Sequence, residues 1–129
     1  MIELEEIEQI HKTLIDFFGG SQGIRDLSAL KSALARPFQT FENKDLHPTP
    51  IYKAAALIES ILINHPFIDG NKRTGYVAMR SFLISKGLDI DATQEEKYEF
   101  VINIASGKIR LEEITEWLAS HIAEQKNIR

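Results

Sequence analysis

Thr49-Pro50-Ile51-Tyr52-Lys53-Ala54-Ala55-Ala56-Leu57-Ile58-Glu59-Ser60-Ile61-Leu62-Ile63-Asn64-His65-Pro66 is the stretch on which the architecture turns. Thr49 suits an N-cap and Pro50 the first helical turn, so a helix starts there. Ile51, Ala54, Ala55, Ile58, Ile61 and Leu62 make it apolar over much of its circumference, which assigns it to the centre of a domain. It has to stop at Asn64-His65, because the residue before Pro66 disfavours helical geometry.

The flanking segments are helical too. Downstream, a helix is predicted from about Asn71 to Lys86, with Gly87 as its stop. Thr93-Gln94-Glu95-Glu96 forms a capping box that opens a helix to about Ala105. Ser106-Gly107 ends that one, and a last helix carries Ile114, Trp117, Leu118 and Ile122. Upstream, Leu4, Ile7, Ile10, Leu14, Phe17 and Phe18 recur at helical spacing and predict a helix over 3–18, broken by Gly19-Gly20-Ser21-Gln22-Gly23. A short helix follows Asp26 as N-cap and ends near Arg36-Pro37. Pro37 to Pro50 is irregular and reads as an exposed flap with a short hairpin. The expectation is an all-α bundle of about six helices with one flap, in a single domain spanning residues 1–129.

With 129 residues, 43% of them hydrophobic and 26% charged, the chain has the composition of an ordinary globular domain. It has no cysteine, which removes disulfides and thiolate metal sites and fits a cytoplasmic location. The start, Met1-Ile2-Glu3-Leu4-Glu5-Glu6, is acidic and unlike a signal peptide, and no apolar run is long enough for a bilayer. A net charge of -4 argues against broad electrostatic attraction to nucleic acid, so no direct nucleic-acid partner is expected.

The chemistry is concentrated in His65-Pro66-Phe67-Ile68-Asp69-Gly70-Asn71-Lys72-Arg73-Thr74-Gly75. An imidazole, a carboxylate, an amide and two cations surround a helix start, as phosphate chemistry requires. Pro66 stiffens the chain beside His65, and Phe67 is an apolar anchor that fixes the imidazole's direction. Gly70 permits close approach of a ligand, and Asn71 caps the next helix. Lys72 and Arg73 occupy its first turn, where each cation costs about 0.3–1 kcal/mol unless a polyanion is bound. Asp69 could hold a magnesium ion that bridges phosphates. Each residue also has a bland reading: Asp69-Gly70-Asn71 is a common turn-and-cap sequence, and surface cations are usually just solvated. Their joint occurrence favours chemistry.

This motif, His65 to Arg73, resembles that of the Fic/Doc family, His-Pro-Phe-x-(Asp/Glu)-Gly-Asn-Gly-Arg, and Lys72 in place of glycine is the mark of its Doc (death-on-curing) toxin branch. Gly19 to Asp26, Ala33 to Pro37 and Ala105 to Ile109 are similar to that branch as well. The resemblance implies a Fic-type helical bundle using ATP and magnesium. It implies His65, Asp69 and Arg73 as the catalytic set, with His65 as base and Asp69 as metal ligand. Phe67, Gly70, Asn71, Lys72 and Arg73 would bind the nucleotide, and 37–49 would be a flap holding a target segment. Most Fic enzymes transfer AMP to a protein hydroxyl. The Doc branch transfers the γ-phosphate instead, to a translation factor of the elongation factor Tu class, and is restrained by a separate antitoxin. A lysine at position 72 fills space beside the phosphates and could favour the reversed nucleotide pose that such a kinase needs. The inhibitory motif (Ser/Thr)-x-x-x-Glu-(Gly/Asn) is missing at either end: Thr13 is followed four places on by Phe17, and Thr115 by Ala119. The rival readings are an AMP transferase with the same base, and a non-catalytic module binding nucleotide or peptide.

Four further residues draw weaker expectations. Arg25-Asp26 either approaches the site or forms a buried ion pair. His11 and His121 read as packing or surface residues, His47 as a weak target contact, and Trp117 as core.

Overall fold

The computed structural model describes residues 2–124. Six α-helices account for most of it: α1 (Leu4–Phe18), α2 (Leu27–Ala35), α3 (Pro50–Asn64), α4 (Asn71–Ser85), α5 (Gln94–Ala105) and α6 (Leu111–Ser120), with a 3-10 turn at Arg36–Phe38. Two small antiparallel pairs complete it: β1 (Thr40–Phe41) with β2 (Lys44–Asp45), and β3 (Leu88–Ile90) with β4 (Ile122–Glu124). The all-α expectation holds, as do three of the predicted caps. The side chains of Asp26, Thr49 and Thr93 accept hydrogen bonds from the amides of Ala29, Tyr52 and Glu96.

α3 is the central element. Its residues Ala54, Ala55, Ala56, Leu57, Ile58, Glu59, Ser60, Ile61 and Leu62 are all buried, and α2, α4, α5 and α6 pack around it. α4 lies closest because Gly75 faces Ile61 and Leu62. A β-carbon at position 75 would collide with Leu62 Cδ1 and stand 3.3 Å from Ile61 Cγ2. Gly75→Ala is therefore expected to destabilise the protein by about 1–2 kcal/mol, since overpacking outweighs the gain in helix propensity. Thermal melting checks this, and an unchanged or higher Tm would mean the helices separate freely.

Among the described residues one carboxylate enters this core. The Glu59 carboxylate, 3% exposed, forms an ion pair with Arg36 Nη1 at 2.7 Å and accepts a hydrogen bond from Arg110 Nε at 2.9 Å. Arg36 also donates to Ser60 Oγ at 3.0 Å. The central helix is thereby tied to the 3-10 turn on one side and to the start of α6 on the other.

The flap is a two-residue hairpin. Thr40 pairs with Asp45 and Phe41 with Lys44, and both turn residues, Glu42 and Asn43, have positive φ, as a right-twisting tight turn requires. Lys53 of α3 holds its base, donating from Nζ to the carbonyl of Pro37 (3.3 Å), to Asp45 Oδ2 (3.1 Å) and to the carbonyl of His47 (2.6 Å). His47 is buried edge-on against Tyr52. Burial, helped by the nearby Arg36 and Lys53 charges, keeps its imidazole below the usual pKa and so neutral. It is an anchor of the flap's base rather than an exposed contact.

The predicted last helix is corrected at its end. α6 stops at Ser120, and Ile122 belongs to β4, where it pairs with Ile90. Short-range apolar spacing cannot see a strand partner 32 residues upstream. Trp117 stacks between Phe100 (3.8 Å) and His121 (4.0 Å), and His121 Nδ1 donates to the Trp117 carbonyl at 2.7 Å. Among the described residues no helix is long and apolar enough to cross a membrane.

Candidate functional site

The loop between α3 and α4 is built by three local devices. The first is the end of α3. His65 caps it in the left-handed region (φ 47, ψ 59), a strained conformation for a non-glycine residue. Arg25 holds it there: its Nε donates to the His65 carbonyl at 2.6 Å and its Nη2 to the Asn64 carbonyl at 2.5 Å. A cation on the last carbonyls of a helix is also favoured by the helix dipole. The amides of Arg25 and Asp26 both donate to the Pro66 carbonyl, and Ile68 N donates to the Gly23 carbonyl. Segment 23–26 thus runs beside the loop as a short splint. The expected alternative of an Arg25–Asp26 ion pair does not form, because Asp26 is occupied in capping α2.

The second device is Phe67, which is 1% exposed and stacks on His11 with ring centroids 3.9 Å apart. His11 Nε2 donates to the Asp69 carbonyl at 2.8 Å. Phe67 therefore anchors the loop from beneath. Its ring lies under the surface, so its expected place in the nucleotide-binding set is as a support that fixes the loop from below.

The third is Asn71. Its Oδ1 accepts from the Phe67 amide at 2.9 Å and its Nδ2 donates to the Phe67 carbonyl at 3.0 Å. The expected capping role is corrected too. Gly70, in the left-handed region, occupies the cap position, and Asn71 is the first helical residue. Its side chain closes the loop, and its backbone amide is left without a partner at the helix start.

These devices leave the start of α4 rich in donors. The amides of Asn71, Lys72 and Arg73 have no hydrogen-bond partner among the described residues. Lys72 and Arg73 are exposed, and neither has a carboxylate within 4 Å among the described residues. Asp69 is exposed; its Oδ1 accepts from the Gly70 amide (2.8 Å) and its Oδ2 from the Ser21 amide (3.2 Å). A β-carbon at Gly20, whose φ is +118, would lie 2.7 Å from that Oδ2, so the glycine-rich segment is shaped around the carboxylate.

Beside this helix start opens a cavity of about 640 Å³, lined on one wall by Asp69 to Arg73 and Tyr76 and on the other by Gln94, Lys97, Tyr98, Val101 and Ile102 of α5. Its volume falls in the range of small-molecule sites. The Tyr76 hydroxyl is buried without a partner, and burial raises its pKa above the usual phenol value, with the Arg80 charge opposing and Asp89 assisting. Sequence reading missed Tyr76, Lys97 and Tyr98. The α5 residues lie more than twenty positions from the motif, and no local pattern assigns them to it. His65 does not line this cavity; it stands exposed at the other end of the loop.

Among the described residues no cluster of three or more metal-ligating side chains exists. One exposed carboxylate, Asp69, suits a magnesium ion that arrives with its own phosphate ligands better than one held by a protein cage.

With the splinted loop and the donor-rich helix start in view, the class is defined: the chain belongs to the Fic/DOC family, whose sequence model matches residues 1–83. That span includes the whole loop and most of α4. The chain is also similar to a protein of Mycolicibacterium smegmatis (strain ATCC 700084 / mc(2)155) named Toxin Doc, at 37% identity over 108 residues, covering 82% of this chain and 83% of that relative.

Proposed function

We propose that this protein is the toxin of a toxin–antitoxin module and acts as a protein kinase, moving the γ-phosphate of ATP to a hydroxyl on a translation factor of the elongation factor Tu class. The observation that carries this reading is the anion-ready cavity at the start of α4, with the exposed His65 imidazole at the other end of the same loop. Three free amides, Lys72, Arg73 and Lys97 bound a space of nucleotide size, and the same rigid loop presents His65 to solvent. The relative named Toxin Doc supports the toxin assignment and hence an antitoxin partner.

In this mechanism the α4 amides and Arg73 bind phosphate oxygens, with Arg73 able to grip two at once. Lys72 adds a mobile charge and bulk that favour presenting the terminal phosphate. The target's hydroxyl oxygen forms a bond to the γ-phosphorus as the bond to the bridging oxygen breaks. ADP leaves, and a ring nitrogen of His65 takes the hydroxyl proton. Magnesium, when bound through Asp69, neutralises charge on the phosphate oxygens. The flap, with Phe41 and Leu46 exposed, is the surface on which the target segment lies. The expected place of action is the cytoplasm, where ATP and the translation factor are found.

The test is to incubate the protein with magnesium, a cell lysate, and ATP labelled at the α or the γ phosphate. Transfer of γ label alone is the expected result. Transfer of α label would make the protein an AMP transferase, and transfer of neither would leave a binding module.

A further inference from the structure

We propose that Phe18, the last residue of α1, is the positioning residue for Arg73; this inference rests on the nucleotide reading above. The Arg73 guanidinium carbon lies 4.0 Å from the centre of the Phe18 ring. Phe17 supports that ring from the side, tilted 35° at 4.9 Å.

The other described arginines spend their donors on protein oxygens. Arg25 donates to the Asn64 and His65 carbonyls, Arg36 to the Ala56 carbonyl and Ser60 Oγ, Arg110 to Glu59, and Arg80 to both oxygens of Asp89 at 2.8 and 2.9 Å. Arg73 makes no hydrogen bond among the described residues and is held only by its contact with the Phe18 ring. A planar guanidinium stacked on a ring keeps every N–H at its edge free. The contact fixes the plane and direction of the fork without consuming the donors that a phosphate would use. An ion pair at the same place would have to be broken before an anion could bind.

Phe18 has no comparable structural reason to be there. It is 56% exposed and stands outside the buried core. A large aromatic ring left mostly in solvent adds little to folding, so its role is readable by mutation without loss of the fold. It sits immediately before Gly19-Gly20, the segment that also shapes itself around Asp69. The end of α1 thus supports both the guanidinium and the carboxylate of the site.

The experiment is a double-mutant cycle on Mg-ATP affinity, measured calorimetrically for the wild type, Phe18→Leu, Phe18→Trp, Arg73→Ala and the Phe18→Leu/Arg73→Ala pair. Phe18→Leu keeps apolar bulk but removes the ring face, and should weaken binding roughly 3- to 10-fold with an unchanged Tm. Phe18→Trp should restore it, and the double variant should bind no worse than Arg73→Ala alone, because the ring acts only through the arginine. Wild-type affinity in Phe18→Leu, or effects of the two residues that simply add, would overturn the proposal while leaving the nucleotide reading intact. Failure of the wild type to bind Mg-ATP would overturn both.

Discussion

His65→Ala is expected to slow phosphate transfer by about 10²–10⁴-fold, the usual contribution of a positioned general base, while Mg-ATP affinity stays within about twofold of the wild type. The separation follows from the geometry. His65 is exposed and does not line the cavity that would hold the nucleotide. Its backbone is fixed through carbonyl oxygens that any residue supplies, by Arg25 from the side and by the capping bond of its own amide to the Ile61 carbonyl. One complication is conformational, since position 65 has a φ of 47. Asparagine tolerates that region better than alanine, so His65→Asn is the control that removes the base with least disturbance of the loop. Transfer by His65→Asn at the wild-type rate would eliminate the imidazole as proton acceptor. Loss of transfer together with loss of Mg-ATP binding would instead mean that the loop had collapsed.

The second large effect is on stability. Glu59→Ala removes the one carboxylate that serves two arginines from inside the central helix. Breaking a buried pair by deleting one partner typically costs about 3–5 kcal/mol. Here the lower figure applies, because side-chain exposure is 28% for Arg36 and 65% for Arg110, and both can recover water. A loss of about 3 kcal/mol should lower Tm by roughly 10 °C in a chain of this size. Denaturant unfolding followed by the fluorescence of Trp117, the only tryptophan, measures it directly. A change below about 1 kcal/mol would mean that the arginines find other acceptors and that the network adds little.

Much of the fold was legible because its punctuation is local. Asp26, Thr49 and Thr93 act within three residues of their own positions, so their helix starts could be read from the chain alone. The apolar run of α3 announced its central place in the same way. The errors fall where a local rule had a long-range competitor. Ile122 fits a helical period but is claimed by Ile90 across the β3–β4 pair. Asn71 is a fit residue for a cap, yet Gly70 takes that position because the chain turns through a left-handed conformation, freeing the amide to lock Phe67. The motif itself was legible as a cluster of reactive side chains. The surfaces around it were not, since the α5 wall of Gln94, Lys97 and Tyr98, the hydrogen bonds of Arg25 and the contact of Phe18 with Arg73 all depend on how distant helices pack.

The hold of Lys53 on the flap has a mechanical consequence. A single ammonium grips carbonyls on both feet of the hairpin, at Pro37 and His47, and the carboxylate of Asp45 between them. The two strands therefore cannot peel away one at a time. The hairpin is held at its root as one unit, and covalent masking of that ammonium is expected to release both feet in one event.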